Sequence, residues 1–394
     1  MPDKRRAGAH SIVGVISARG GGDWPSVVAL AAGLRDRGHA VCLVGDTSTA
    51  AAVRSTGLPT VCVPSHLALG GYLDPPLQHL LTSGEAPDPA APNPLVQWAQ
   101  ACAPAVRAAL QERQPAVLLS ALHGLGLTDL LAAALEVPWC FVNPSFYFGE
   151  DSARPWDADF RSPGVHAMRS WFLPLSQRAS LVLHATDPVF DVPPARLPGH
   201  HHYVGPLLWE VPTDAPAFLS APGPPWVLVS LSTLPQAGEL AIARTAIRAL
   251  AREAVRVLVT LAPGHARAEL GMVPDNVYLS NYVPHSMMLP NSRLVMSHAG
   301  HGIVMKALYY GVPMVLVPWG RDQPGVAARA EALGVATVVP RDACDDASVA
   351  QAVRCILDDP RYTERVCTVS RRLQAEDAVT AAWVQVESLW TNAA

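Results

Sequence analysis

Charged residues are scarce. Only 16% of the 394 residues are Asp, Glu, Lys or Arg, and the formal net charge is −4. Such a balance exerts no long-range pull toward nucleic acid or an anionic membrane surface. Lys and Arg cluster nowhere beyond the short run Lys4-Arg5-Arg6. No apolar run reaches the ~18 residues of a transmembrane helix. The first residues are polar and lack the apolar core of a secretory signal. The seven cysteines contain no Cys-x-x-Cys pair, so neither a zinc site nor a disulfide framework is supported. These absences predict a cytoplasmic protein with no nucleic-acid partner and no stable membrane insertion.

Apolar residues make up half of the chain, enough to fill large cores and far from the composition of a disordered protein. The run Ile12-Val-Gly-Val-Ile16 reads as a buried strand. A glycine-rich turn, Arg19-Gly-Gly-Gly-Asp23, follows it. Apolar positions 27, 28, 30, 31 and 34 then have helical spacing, and Gly38 ends the helix. With the strand Ala40 to Val44 this makes a β-α-β unit, which brings parallel strands. Further strands are predicted at 116–120, 139–142 and 180–184. Two stretches, 64–95 and 144–172, are rich in Pro, Gly and aromatics and read as long loops.

A proline-rich segment from Val211 to Pro225 reads as a stiff linker. Beyond it the alternation resumes, with strands at 226–230, 255–260, 277–280, 294–297, 313–317 and 336–339. The fold class is therefore α/β, two doubly wound Rossmann-like domains facing a cleft. Ligands of such sheets bind at the carboxyl ends of the strands.

The strand Leu294 to Ser297 runs into His298-Ala-Gly-His-Gly302 and then a helix ended by Gly311. Free amides at a helix N-terminus, with their partial positive charge, suit a phosphate. Gly300 and Gly302 allow close backbone approach, and His298 can donate a hydrogen bond. Taken alone, this turn reads equally as a structural cap. After the next strand comes Pro318-Trp-Gly-Arg-Asp-Gln-Pro324. The carboxylate of Asp322 and the amide of Gln323 suit sugar hydroxyls, and helix capping explains them equally well in isolation.

Together, the run from His298 to Gln323 resembles the donor-binding signature of family-one glycosyltransferases with the GT-B fold, of the bacterial type that decorates antibiotics and other natural products. Asn281-Tyr-Val-Pro-His285 resembles the base-binding segment of that family, and Val229-Ser-Leu-Ser-Thr233 its phosphate-side strand end. The resemblance implies that His298 and the amides near Gly300, His301 and Gly302 hold a diphosphate, with Thr233 beside it. It implies Tyr282 and Val283 at the base, and Asp322 and Gln323 at the sugar. Ile303 and Lys306 depart from the pattern. Lys306 stands where plant members carry a Glu for the ribose hydroxyls, which tilts the expected nucleotide from UDP toward dTDP.

In the first half, Gly22-Asp-Trp-Pro-Ser26 resembles the loop and first helix of the same family and aligns Asp23 with its catalytic base. The region matching the supporting Asp of plant members is Leu119-Ser-Ala121, so a lone carboxylate base is expected. Helix capping by Asp23 is the competing reading. His123, Phe146 and Tyr147 mark a candidate acceptor region, joined by Phe148, Trp156 and Trp171. His200-His-His202 has no carboxylate or Cys at ligand spacing, and no metal site is assigned.

The expected domains are 1–212 for the acceptor, 213–375 for the nucleotide-sugar, and a last helix within 376–394 that returns to the first domain. The expected reaction is an inverting, metal-independent transfer from a dTDP- or UDP-sugar to a hydroxyl of an apolar small-molecule aglycone. The nucleotide-sugar is a co-substrate, and no cofactor is called for. Three alternatives stay open: a nucleotide-sugar epimerase, a lipid glycosyltransferase, and a catalytically silent ligand-binding helper of a partner transferase. A homodimer is left open as well.

Overall fold

The computed structural model describes residues 10–16, 22–83, 87–88, 90–147, 149, 167–233, 236–261 and 265–391. Two parallel sheets dominate it. The first contains β1 (Ser11–Val15), β2 (Ala40–Gly45), β3 (Thr60–Cys62), β4 (Val117–Ser120), β5 (Trp139–Asn143), β6 (Leu181–His184) and β7 (His201–Tyr203). Their spatial order is β3-β2-β1-β4-β5-β6-β7. The second contains β8 (Trp226–Ser230), β9 (Arg256–Thr260), β10 (Val277–Ser280), β11 (Ser292–Ser297), β12 (Met314–Leu316) and β13 (Ala336–Val338). Their order is β10-β9-β8-β11-β12-β13. The chain is thus α/β with two doubly wound sheets.

Each sheet is buried on both faces, which explains why its strands read as continuous apolar runs. On the first sheet, Val13, Val15, Leu118 and Phe141 pack with the helix Pro94–Leu110. Ile12, Leu43, Leu119 and Val142 pack on the other face with the helix Pro25–Asp36. The last helix, Ala378–Thr391, joins this second layer: Ala382 and Val386 are fully buried in it. Trp383 and Trp390 lie against His39, and a side chain at Gly33 would collide with Val379.

Two features differ from the sequence reading. The stretch 64–95 is not an open loop, because the helix Gly70–Ser83 runs through Pro75 and Pro76. The short strands β3 and β7 were absent from the reading: each has only three residues, none of them fully buried, and β7 is polar. No helix among the described residues is long and apolar enough to cross a membrane.

A buried seam joins the two halves. Phe146 and Phe190 from the first half belong to the core beneath β11 and β12. Asp191 and Arg329, both fully buried, face each other across it at 3.5 Å. Asp191 also accepts hydrogen bonds from the Tyr203 hydroxyl and the Tyr147 amide, so this carboxylate is well satisfied, as a buried charge must be.

Candidate active site

β1 and β4 are neighbours, with Val15 opposite Ser120. Here the strand order reverses, and the connections leave a crevice beyond the strand ends. Asp23 follows β1 and His123 follows β4. The Asp23 carboxylate is 5% exposed. It is not spent on the helix Pro25–Asp36, whose N-cap position is Trp24 with no side-chain cap bond. Asp23 Oδ2 instead lies 2.7 Å from His123 Nδ1 and accepts the His123 amide at 3.3 Å. Asp23 Oδ1 is buried without a hydrogen-bond partner.

This geometry corrects the expectation of a lone carboxylate: Asp23 and His123 form a pair. A carboxylate at Nδ1 selects the tautomer with its proton there, which leaves the lone pair on Nε2. The imidazole is 16% exposed and stands edge-on to Phe172. Gly124 permits the close turn, because a Cβ there would lie 3.0 Å from the Val15 carbonyl.

The second sheet repeats the arrangement, with β8 beside β11 and Ser230 opposite Ser297. The turn after β11 places Ala299 in the left-handed region at φ 63°, an uncommon conformation for a residue with a Cβ. Ser297 Oγ accepts the Ala299 amide. The following helix begins at His301, not at Ile303 as the sequence suggested, with Gly300 at its N-cap and no side-chain cap bond. Its first-turn amides have no intrahelical acceptor. His298 is buried, with Nδ1 3.4 Å from the Ser230 carbonyl, and burial pushes its pKa down to about 4. Its Nε2 lies over Gly300, where a Cβ would come within 2.6 Å. A Cβ on Gly302 would meet nothing within 4 Å. Thr233 is exposed just beyond the end of β8.

The turn after β12 has a second left-handed residue, Arg321, at φ 59°. Asp322 occupies the N-cap position of the helix Gln323–Ala332 but makes no side-chain cap bond. Its Oδ2 accepts the hydroxyl of Ser145, which follows β5 of the first sheet, at 2.9 Å. Burial raises the Asp322 carboxyl, and the Ser145 bond opposes that rise. Gln323 Oε1 accepts the amides of Trp319 and Gly320, both at 2.9 Å. Its carbonyl therefore closes the turn, while a sugar-binding role would fall to its amide nitrogen.

Other expected residues are placed differently. His301 is buried, with Nε2 3.0 Å from Thr186 Oγ1. Its ring thus belongs to the seam, and only its backbone belongs to the turn. Phe146 lies beneath the Arg329 guanidinium at 4.1 Å, a seam residue instead of an acceptor wall. Trp171 is buried in the first core. Phe148 and Trp156 lie outside the described residues. Tyr282 is 47% exposed, and its hydroxyl donates to the Val211 carbonyl. Val283 is buried beside it.

Lys306 reaches the linker, where Nζ lies 2.7 Å from Glu210 Oε1. The Glu210 carboxylate also accepts the amides of His285 and Ser286. Burial opposes its ionisation, but Lys306 and His285 outweigh it and hold the carboxyl at about 2. This partnership is not legible in the sequence, because the two residues are separated by 96 positions.

Tyr147 lines a cavity of about 410 Å³ beside β5, β6 and β7, with Phe141, Leu173, Gln177, His184 and His201. His184 is held between Asn143 and His201 at 3.0 Å each, and burial takes its pKa down to about 3. Among the described residues, the cavity lining has no carboxylate, lysine or arginine and is partly aromatic. Its helical wall carries Phe172, the ring that touches His123.

Comparison with known proteins bears on the fold and the family. Residues 245–386 match the family described as erythromycin biosynthesis protein CIII-like, C-terminal domain. The chain is 32% identical over 213 residues to 4'-demethylrebeccamycin synthase of Lentzea aerocolonigenes, covering 53% of this chain and 50% of that protein. It is 27% identical over 247 residues to demethyllactenocin mycarosyltransferase of Streptomyces fradiae, covering 55% and 50%. The chain thus spans about half the length of these curated relatives. The calicheamicin glycosyltransferase CalG4 superposes over 98% of this chain and 100% of its own, with a TM-score of 0.75 at 23% identity. SnogD from Streptomyces nogalater superposes over 97% and 100%, with a TM-score of 0.72 at 20% identity.

The fold is GT-B, shared with these enzymes. The resemblance to family-one glycosyltransferases of the natural-product type holds in sequence as well as in architecture.

Proposed function

We propose that the protein transfers a sugar, with inversion, from a nucleoside diphosphate to a hydroxyl of an uncharged, largely apolar small molecule. The observation that carries this reading is the hydrogen bond from Ser145 to Asp322. It brings the strand ends of the first sheet, with the Asp23–His123 pair, up to the strand ends of the second, with the two left-handed turns.

In this mechanism the diphosphate lies on the first-turn amides of the helix His301–Tyr310, next to His298 and Thr233. The partial charge of the helix end stabilises the leaving group as the glycosidic bond breaks. Asp322 and the Gln323 amide orient the sugar, while Tyr282 and Val283 meet the base. The acceptor body occupies the cavity beside Tyr147. Its hydroxyl attacks the anomeric carbon, and His123 Nε2 takes the proton while Asp23 holds the imidazole and stabilises its charge. Burial of Asp23 Oδ1 favours His123 over Asp23 as the group that meets the hydroxyl. The helix end and His298 perform the charge stabilisation for which other transferases use a divalent ion, so turnover should persist in a chelator.

The test is product formation, followed by mass spectrometry, with dTDP- and UDP-sugars and a panel of polycyclic aglycones. Turnover of donor without any acceptor would favour an epimerase, and donor binding with no turnover would favour a silent helper. Transfer only to vesicle-borne acceptors would favour a lipid glycosyltransferase.

A further inference from the structure

The run His200-His-His202 has no part in the mechanism above. Two of its rings, His200 and His201, line the cavity beside Tyr147. Other polar groups of that lining are bound to one another or to the backbone. Asn143 Oδ1 accepts the Ser145 amide at 3.1 Å, which turns its Nδ2 toward the Phe146 carbonyl and His184 Nδ1. His184 Nδ1 is thus an acceptor, and the proton of this neutral ring sits on Nε2. That nitrogen donates to His201 Nδ1 at 3.0 Å. Ser176 donates its hydroxyl to the Leu173 carbonyl at 2.9 Å.

His200 departs from this pattern. Among the described lining residues, its Nε2 is the buried side-chain atom left without a hydrogen-bond partner. A buried polar atom of this kind is costly until a partner meets it. Burial and the neighbouring His202 lower the His200 pKa, so the ring is neutral near neutral pH. A hydroxyl suits either tautomer of a neutral imidazole, because it both donates and accepts. A charged group would find no carboxylate, lysine or arginine among the described lining residues to balance it.

The strand order sets a length. His123 follows β4 and His200 precedes β7, with β5 and β6 between those strands. Three strand spacings amount to about 14 Å. The cavity occupies this interval, lined by Phe141 of β5, Val182 of β6 and Leu173. Leu173 adjoins Phe172, the ring that touches His123.

We infer that His200 Nε2 binds a hydroxyl at the far end of the acceptor, and that the cavity selects elongated molecules, apolar in the middle with an uncharged hydroxyl at each end. This rests on the glycosyl-transfer reading, in which the near hydroxyl meets His123.

Calorimetry on the full chain tests this with estradiol, a steroid with an uncharged hydroxyl at each end, and with the analogue that lacks the hydroxyl on the five-membered ring. The wild type should bind estradiol about tenfold more tightly than the analogue, or better. His200→Phe keeps an aromatic ring beside His201 and removes the nitrogen. It should bring the two affinities within twofold, and His200→Gln should restore part of the difference. Equal affinities in the wild type, or a preference that survives His200→Phe, would overturn the role of His200. Failure to bind either steroid would overturn the acceptor class. Titrations of UDP and dTDP separate the two readings. A protein that binds a nucleoside diphosphate but neither steroid loses this inference alone. A protein that binds no diphosphate loses the transfer reading, while a steroid preference abolished by His200→Phe would still establish the cavity site.

Discussion

His123 Nδ1 lies 2.7 Å from Oδ2 of Asp23, a residue one hundred positions earlier in the chain. If the two act as one base, each is needed for turnover and neither for holding the donor. Asp23→Asn turns an amide toward Nδ1 and favours the tautomer whose Nε2 already has a proton. His123→Ala removes the acceptor nitrogen. Both should lower kcat by about 10²–10⁴-fold and leave nucleoside diphosphate affinity within twofold. Steady-state rates and calorimetry read the two effects separately. Wild-type turnover in His123→Ala would return the role to Asp23 alone.

Much of the fold was legible because both sheets are sandwiched between helices. Strands buried on both faces appear as unbroken apolar runs, and Trp226 to Ser230, buried throughout, was read at its observed limits. β7 was not, because His201, His202 and Tyr203 are half-buried at the sheet edge. The helix Gly70–Ser83 was hidden by Pro75 and Pro76, which normally interrupt helices. In the site, motifs within one strand-turn-helix unit were readable. The partnerships Asp23–His123, Glu210–Lys306 and Ser145–Asp322 were not, since each joins residues far apart in sequence. The strand order was a usable signal for the first: a doubly wound sheet sets β1 beside β4, so the loops after them must meet.

His298 should take up a proton when the diphosphate binds. In the empty site the ring is neutral, and Nδ1 faces the Ser230 carbonyl. That contact keeps the proton on Nδ1, so Nε2 can donate to a phosphate only if the ring gains a second proton. An adjacent diphosphate raises the pKa from about 4. Calorimetric enthalpies at pH 6.5 should therefore depend on the ionisation enthalpy of the buffer, with net proton uptake. His298→Gln should abolish that dependence. Buffer-independent enthalpies for the wild type would contradict the prediction.

Gly300 and Gly302 should respond differently to alanine. A Cβ at Gly300 would fall 2.6 Å from His298 Nε2, which forces the ring aside. Gly300→Ala should cost about 1–3 kcal/mol of stability and weaken diphosphate binding. Gly302 faces open space within the first helical turn, so Gly302→Ala should leave the stability of the empty protein unchanged or raise it by up to about 1 kcal/mol. Any loss of affinity there would then report a collision with the ligand. Denaturant midpoints together with titrations of UDP decide both cases.

Stability should fall steeply in mild acid. His184, His285 and His301 have their pKa values lowered to about 3, and His298 to about 4, in each case chiefly by burial. Unfolding exposes them to water, where they bind protons near 6.5. Between pH 6.5 and about 3 to 4 the unfolded chain holds more protons, so stability present above pH 6.5 is lost as the pH falls through this window. Each histidine contributes up to about 1.4 kcal/mol per pH unit. Urea midpoints measured from pH 7.5 to 4.5 should decline, and His184→Gln should make the decline shallower. A flat profile over this range would contradict the burial of these rings.

The last helix gives the two sheets a second covalent connection. The linker between β7 and β8 crosses once, and the chain crosses again just before the helix Ala378–Thr391 settles on the helix Pro25–Asp36. The two sheets are thus tied by two chain crossings and by the buried seam that holds Asp191 and Arg329 3.5 Å apart. Sliding or twisting would have to stretch one connection. Any opening of the cleft that parts the two sheets must break the Ser145–Asp322 bond.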